Sequence, residues 1–306
     1  MLLLPLLLSS GCIRERYVDC QSFISFRVNV IDRVSGDDVT HTGVAGEVKL
    51  FMFDASGMFI DTLMVSPDNV AGRTLISIPL GPRRPAWVSA WGNISPGQLE
   101  ATTPYDTQTN MDDCALSLCT LPDGYSAETG EVFFGMTPID YNGARYGYVG
   151  GGQATICQHY APVSVIVNGL PSTVDPNDYY FEFETPFGGY NFRGLAAEDK
   201  RTLRQGGMFD AQGRFITSSP VNMVPRDASQ PEVTIDNCMV VSLYRRAGSP
   251  YFTRAGGDVL VASTRGVQTL DPQLGVTVNV LITLGYQVTV SVVVTPMDEI
   301  WQDSVW

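Results

Sequence analysis

The amino-acid sequence predicts an all-β protein with two β-sandwich domains in tandem. Its 306 residues are enough for two domains of ordinary size, and 44% of them are apolar, so substantial cores can be buried. Glycine (30 residues) and proline (19 residues) are frequent, and short apolar runs are separated by turn residues along most of the chain. Short strands at regular spacing with turns between them are typical of β-sandwiches.

The first eleven residues have the features of a lipoprotein signal peptide. The apolar run over residues 1–8 (MLLLPLLL) is too short to span a bilayer as a helix, but it fits the core of a signal peptide. Ser9, Ser10 and Gly11 are small residues directly before Cys12, an arrangement that resembles a lipobox. We therefore predict a signal peptide over 1–11, cleavage between Gly11 and Cys12, and a lipidated segment over 12–21. The alternative is an ordinary signal peptide followed by an incidental cysteine.

The first domain is predicted over residues 22–153. Apolar and polar residues alternate in 22–30 (SFISFRVNV), the pattern of a half-buried strand. Residues 47–60 (EVKLFMFDASGMFI) predict a hairpin that turns at 54–57. Further short strands are predicted at 75–80, 86–91 and 132–134, whereas 104–130 is polar and irregular.

The second domain is predicted over residues 154–306, after a linker at 140–153 that ends in three glycines. Residues 196–204 favour a short surface helix. The remaining apolar runs predict strands at 163–167, 179–184, 233–244, 259–262, 276–284 and 286–295, of which the last two form a long hairpin.

Charge and cysteine content exclude several classes of function. The formal net charge of −13 excludes nucleic acid as a partner, because that binding depends on Lys and Arg at the phosphates. No pair of cysteines has the spacing of a zinc site, and the chain contains only two histidines. Export permits disulfides, and the candidates are a Cys114–Cys119 bridge or a bridge from one of these to Cys20. Cys157 and Cys238 lie in apolar segments and are expected to be buried as small hydrophobic residues.

The sequence lacks the local motifs of common enzymes. It has no nucleophile elbow, no HExxH and no phosphate-binding loop. Asp175, Asn177 and Asp178 are predicted to form a solvated turn, since the bidentate glutamate of a calcium loop is missing. We predict neither an enzyme activity nor a cofactor or metal site.

Two motifs in the first half of the chain resemble the anchor subunits of type V fimbriae, the fimbrillin-associated lipoprotein anchors of Bacteroidales. The strand 49–54 (KLFMFD) ends in Phe-Asp before the turn glycine Gly57, and the later strand ends at 90–93 (AWGN) in an aromatic-Gly-Asn turn. The lipobox is a third point of similarity. In the second half, 161–170 (APVSVIVNGL) and the C-terminal run from 276 are a looser match.

The resemblance implies a fold, a location and partners. It implies two transthyretin-like β-sandwich domains, attachment to the outer membrane by lipid on Cys12, and a position at the base of a fimbrium. Stalk or accessory fimbrial subunits are the implied partners, joined by β-strand addition. We predict that the partner strand meets an edge near 23–30 or the C-terminal hairpin at 276–295, with the second preferred. The same hairpin is also a candidate to donate a strand to the partner.

Two other functions remain open at this stage. One is a lipid-anchored glycan-binding surface protein, which would be favoured by exposed Trp and Tyr residues clustered on one sandwich face. The other is a secreted hydrolase. An apolar groove beside an unpaired strand would favour the fimbrial function instead.

Overall fold

A computed structural model of the chain describes residues 22–141, 148–247 and 257–297. These residues form two β-sheets and one short α-helix, α1 (Pro67–Ala71). The prediction of an all-β fold is therefore confirmed. Each sheet encloses an apolar core, which is the arrangement expected of β-sandwich domains.

The first sheet has seven strands from the first half of the chain. In chain order they are β1 (Phe23–Val30), β2 (Val48–Phe53), β3 (Phe59–Val65), β4 (Ile76–Pro79), β5 (Trp87–Gly92), β8 (Phe133–Pro138) and β9 (Tyr148–Gln158). In space their order is β3-β2-β5-β8-β9-β1-β4. Ile24, Phe26 and Val28 of β1 are almost fully buried in the core of this sheet, so the predicted alternation is confirmed.

The predicted hairpin of β2 and β3 has a turn defined by its own residues. The carboxylate of Asp54 accepts hydrogen bonds from the backbone N–H groups of Ser56 and Met58, at 2.9 and 3.0 Å. Gly57 has a φ of +81°, which glycine adopts without steric cost. This Asx-type turn brings β3 back antiparallel to β2, as the sequence predicts.

The second sheet has eleven strands. They are β6 (Leu99–Ala101), β7 (Cys114–Leu118), β10 (Ala161–Asn168), β11 (Tyr179–Asn191), β12 (Ala196–Phe209), β13 (Phe215–Thr217), β14 (Val221–Met223), β15 (Val240–Arg245), β16 (Val259–Ser263), β17 (Val276–Thr283) and β18 (Thr289–Pro296). The main path runs β16-β15-β11-β12-β13-β10-β17-β18. The remaining three pair at the side, with β14 on β10, β7 on β11 and β6 on β7.

The predicted surface helix at 196–204 is wrong, because these residues begin strand β12. Residues such as Glu198, Lys200 and Arg201 have good intrinsic helix propensity. However, β12 pairs antiparallel with β11 from Tyr190↔Ala196 to Tyr180↔Gly206. This long ladder outweighs a propensity of a few tenths of a kcal/mol per residue.

Strand β7 lies within the segment predicted to be irregular, and its position rules out one disulfide. Ala115, Leu116 and Leu118 are buried, and the strand pairs with β11. Cys114 and Cys119 are separated by the length of this strand, about 16 Å at 3.3 Å per residue, whereas a bridge needs Cα atoms within about 7 Å. Both are free cysteines, so a Cys114–Cys119 bridge is wrong. A bridge to Cys20, which lies outside the described residues, stays a prediction.

The predicted linker and domain boundary both fall on strand β9. The glycines Gly150, Gly151 and Gly152 are part of this strand and pair with β1, so the linker prediction is wrong from residue 148 onward. A Cβ on Gly151 would lie 2.1 Å from the carbonyl oxygen of Ser25, so the parallel pairing requires a glycine there. The boundary between 22–153 and 154–306 lies inside β9, and β6 and β7 join the second sheet. The division into two domains stays a prediction.

Candidate functional site

The C-terminal hairpin places β18 at one end of the second sheet. β18 pairs antiparallel with β17 from Val276↔Pro296 to Thr283↔Thr289, and β17 pairs in parallel with β10 on its other side. Within the described residues, no further strand pairs with β18. Its outer edge therefore presents backbone N–H and C=O groups that a strand of another chain can pair with.

The core-facing side of β18 is apolar and only partly covered. Val290 and Val292 are half-buried and pack against the core of the second sheet. Val294 is 58% exposed, although Val278, directly opposite it on β17, is 1% exposed. A valine that faces a core but remains exposed marks a place where an additional strand would bury apolar surface.

Strand β16 lies at the other end of the same sheet. Among the described residues it pairs with β15 alone, and Val259 and Leu260 are 59% and 51% exposed. Val261 and Ala262 pack against the same core as Val290 and Val292. The two end strands of the second sheet thus border one core, and both expose valine.

The first predicted acceptor region, near Phe23 to Val30, does not lie on an end strand. Strand β1 pairs antiparallel with β4 and in parallel with β9, so both of its edges are occupied over much of its length. The end strands of the first sheet are β3 and β4. The second predicted region, the hairpin at 276–295, does contain an end strand.

Aromatic residues join the two sheets. Phe51 and Phe53 point away from the core of the first sheet and pack on Phe192, which follows β11, with ring centroids 4.9 and 5.1 Å apart. The other face of the same strand, with Leu50 and Met52, lies in the first core. Strand β2 is therefore apolar on both faces because each face contacts a different core.

A serine connects the sheets by hydrogen bonds below these rings. The hydroxyl of Ser89 on β5 donates to the backbone carbonyl of Phe192 at 2.6 Å. It also accepts a hydrogen bond of 2.9 Å from the indole Nε1–H of Trp91. Ser89 and Trp91 are both fully buried. Trp87 and Trp91 pack on the same core, as their spacing on one strand predicts.

His159 lies at the centre of this junction and has a structural role. Its ring contacts those of Trp91, Phe134 and Tyr190, with centroids 4.8 to 5.8 Å apart. Its Nε2 lies 2.7 Å from the carbonyl oxygen of Gly194 and donates to it. Burial lowers the pKa of His159 to about 4, so the imidazole is neutral near pH 7. His159 and its aromatic neighbours are far apart in the chain, so no local sequence pattern predicts that they are in contact.

Tyrosines on the outer face of the second sheet are covered by arginines. Tyr180 and Tyr244 stack at 5.5 Å, but Tyr180 is only 2% exposed. The guanidinium of Arg204 lies 4.2 Å from the Tyr180 ring and 3.9 Å from that of Tyr125, and Arg246 lies 4.8 Å from Tyr180. The exposed aromatic cluster that would favour a glycan-binding function is therefore not formed by these residues.

The remaining candidates from the sequence, Asp175 and the cysteines Cys157 and Cys238, make ordinary structural contacts. The Asp175 carboxylate accepts from the backbone N–H of Asn177 at 2.9 Å and caps a short 3-10 turn, in agreement with the solvated turn predicted there. Within the described ranges, no cluster of His, Cys, Asp and Glu could hold a metal ion. Cys238 is buried as predicted, whereas Cys157 is half-buried with its sulfur 3.6 Å from Nη2 of Arg33.

The predicted lipidation and cleavage residues, Cys12 and Gly11, lie outside the described residues. Among the residues that the structure describes, no helix is long and apolar enough to cross a membrane.

Comparison with known proteins points to one family. The family model of fimbrillin-A associated anchor proteins Mfa1 and Mfa2 matches residues 17–303. The major fimbrium anchoring subunit FimB of Porphyromonas gingivalis is 33% identical over 171 residues, which are 55% of this chain and 53% of FimB. FimB of strain W83 is 32% identical over the same length. The match thus spans about half the length of these curated relatives.

Solved structures with the same fold come from Porphyromonas and Bacteroides species. The fimbrial anchor protein Mfa2 of Porphyromonas gingivalis matches with a TM-score of 0.62 at 12% identity, over 90% of this chain and 98% of that one. A putative adhesin from Bacteroides ovatus matches with a TM-score of 0.61 at 12% identity, over 91% and 96%. A protein from Bacteroides thetaiotaomicron described as a putative polysaccharide binding protein matches with a TM-score of 0.60 at 14% identity, over 91% and 99%.

Proposed function

The chain belongs to the family of fimbrillin-A associated anchor proteins Mfa1 and Mfa2, and from that premise we propose that it anchors a fimbrium to the bacterial outer membrane. The curated relatives that it matches are fimbrium anchoring subunits. In this proposal the chain is a non-enzymatic lipoprotein at the base of the fimbrium, and its partners are stalk or accessory subunits.

The observation that carries the proposed mode of assembly is the partly covered edge of the second sheet. β18 and β16 border the same core, and each exposes a valine whose exposed fraction is above one half. An added strand would form a ladder of backbone hydrogen bonds and bury these side chains at about 25 cal/mol per Å² of apolar surface. We prefer β18 because its core-facing valines lie along most of its length.

Lipid on Cys12 is the proposed attachment to the membrane. Cys12 precedes the first residue of β1, Phe23, by eleven residues, which reach at most about 40 Å when fully extended. Several acyl chains at ~0.8 kcal/mol per buried CH₂ would hold the protein far more tightly than one chain. The first sheet would then stay near the membrane, while the end strands of the second sheet remain available to the fimbrium.

The test is recovery of fimbrial subunits with the full-length chain from mildly solubilised outer membranes. We expect stalk or accessory subunits to be recovered with it, and we expect cells that lack the protein to release fimbriae into the medium. If fimbriae stay attached to such cells with normal length, the anchoring function is wrong. The glycan-binding alternative predicts that the protein is retained on a polysaccharide column. The covered tyrosines do not favour this alternative.

A further inference from the structure

A cleft of about 840 Å³ lies where the loops of the first sheet meet the outer face of the second. This volume is in the range of about 300–1,000 Å³ that is typical of ligand pockets. Outward-facing residues of β10 and β17 line one side, including Ser164 and Thr277. Loop residues line the other side, including Asp32 and Glu131. No residue of β16 or β18 lines the cleft, whereas Met297, which directly follows β18, does.

The cleft is acidic. Four carboxylates line it, those of Asp32, Glu128, Glu131 and Asp210, and Arg214 bonds to Asp210 at 2.7 Å. The side chain of Glu131 is exposed and makes no hydrogen bond or ion pair within the part of the chain that the structure describes. One oxygen of Glu128 accepts the backbone N–H of Asn222 at 2.9 Å, which holds this carboxylate at the cleft. A cationic group would therefore find fixed negative charge here.

Polar side chains on β17 provide further hydrogen-bonding groups. The side chain of Thr277 is 8% exposed, and its hydroxyl makes no hydrogen bond to the described residues. Asn279 is 3% exposed and donates from Nδ2 to Thr295 at 3.1 Å, which leaves its amide oxygen as an acceptor. Thr277 and Asn279 both line the cleft, so this hydroxyl and this amide oxygen are available to hydrogen-bond with a ligand there.

The same cleft also has an apolar side. Ile166 of β10 and Ile216 of β13 are Cα partners, both half-buried, and both line the cleft. Val34, at 37% exposure, lines it from the first sheet. The cleft therefore combines anionic and apolar surfaces that an extended peptide with alternating side chains would contact together.

A sugar fits this cleft less well than a peptide does. Tyr160 lines the cleft, but it is only 9% exposed and belongs to the core of the second sheet. Burial, with Glu131 and Asp32 nearby, raises the pKa of its hydroxyl to about 12. At 9% exposure its ring offers little surface for stacking on a pyranose.

We propose that this cleft binds an extended segment of a partner subunit in which basic and apolar side chains alternate. Basic side chains would lie near Glu131 and Glu128, and apolar ones near Ile166 and Ile216. The inference rests on the proposed anchoring function, because it assigns a contact for a fimbrial subunit that is distinct from strand addition at β18.

The test measures binding of fluorescein-labelled nine-residue peptides to the purified full-length chain by fluorescence anisotropy. One probe alternates Lys and Val, and the other alternates Glu and Val. We expect the Lys/Val peptide to bind and the Glu/Val peptide to fail. Glu131→Lys should weaken binding of the Lys/Val peptide by about tenfold, since a charge that attracts the peptide now repels it.

Glu100→Lys is the matched control, because Glu100 is an exposed carboxylate on β6 outside the cleft. It makes the same change in net charge, and we expect less than about a twofold effect on affinity, since Glu100 does not line the cleft and water and salt weaken the effect of an exposed charge that makes no contact with the peptide. If both variants lose the same affinity for the Lys/Val peptide, the peptide is attracted by the net charge of the protein alone, and the proposal is overturned. Equal binding of the two peptides would overturn it as well.

The outcome can be separated from that of the anchoring function. If Glu131→Lys abolishes peptide binding while the cells keep their fimbriae with unchanged subunit recovery, a cleft contact with a fimbrial subunit is wrong and anchoring stands. If the wild-type chain recovers no fimbrial subunits, the anchoring function fails, whatever the peptide result.

Discussion

The hydroxyl of Ser89 donates a hydrogen bond of 2.6 Å to the backbone carbonyl of Phe192, 103 residues further along the chain. Ser89 lies on a strand of the first sheet, whereas Phe192 lies between two strands of the second. The bond is fully buried, and the Nε1–H of Trp91 donates to the same hydroxyl. This junction connects the two sheets through buried polar and aromatic contacts.

Ser89→Ala tests the junction directly. The change removes one hydroxyl and leaves the Phe192 carbonyl and the Trp91 Nε1–H buried without partners. We expect the free energy of unfolding to fall by about 2–6 kcal/mol, from about 1–3 kcal/mol for each of the two groups. Urea unfolding measures the loss. Ser77→Ala, at an exposed position of strand β4, is the control and should stay within about 0.5 kcal/mol of wild type. Equal stability of the two variants would contradict the role of Ser89.

The lowered pKa of His159 predicts that the free energy of unfolding falls in mild acid. Its pKa is about 4 in the folded protein and about 6.5 when unfolded, so the unfolded chain binds the extra proton between these values. Stability therefore rises with pH across this window and falls as pH drops through it. Between pH 7 and pH 4.5 we expect this group to cost about 2–3 kcal/mol.

The pH dependence can be assigned with two variants. His159→Gln keeps an N–H donor for Gly194 but cannot take up the proton, so the stability difference between pH 7 and pH 4.5 should shrink by about 2–3 kcal/mol. His41→Gln, at an exposed position, should leave the difference unchanged. A pH profile that is the same in wild type and His159→Gln would show that another group is responsible.

Val294→Lys tests strand addition at β18. A lysine on the exposed, core-facing side of an end strand should block pairing with a partner strand. Because Val294 is 58% exposed, stability should change by no more than about 0.5 kcal/mol. We expect membrane attachment to remain and fimbriae to be released, as measured by subunit recovery and electron microscopy of the medium.

Two further valine-to-lysine changes separate the possible edges. Val259→Lys places the same charge on β16, where the exposed fraction is 59%, and Val44→Lys places it in a loop of the first half at 47%. If β18 is the partner edge, only Val294→Lys releases fimbriae. Release by Val259→Lys alone would assign the contact to β16, and release by Val44→Lys would indicate a general effect of charge.

Cys12→Ser tests the lipid anchor. Without the thiol no lipid is attached, so we expect the protein to move from the membrane fraction to the soluble fraction or the medium. Cys20→Ser is the matched control and should remain in the membrane. Mass spectrometry of the mature protein should find the lipid on Cys12. An unmodified mature N-terminus at another residue would contradict the prediction.

Local sequence was sufficient wherever the structure depends on neighbouring residues. The alternation in β1 identified its buried face, because successive side chains of a strand point to opposite sides. The turn of the β2–β3 hairpin was predictable, since Asp54 and Gly57 supply its hydrogen bonds and its positive φ within four residues. The motifs around these strands also identified the family, and the match over residues 17–303 confirms it.

Tertiary structure decided what depends on pairing between distant residues. Alternation in 23–30 looks the same whether the strand is central or at an end, and β1 is central only because β4 and β9 pair with its two sides. Residues 196–204 have helix-forming side chains, yet the ladder with β11 makes them a strand. The junction of Ser89 with Phe192 and the acidic cleft combine residues that are far apart in the chain. Their contacts arise from strand order, which the period of a sequence does not encode.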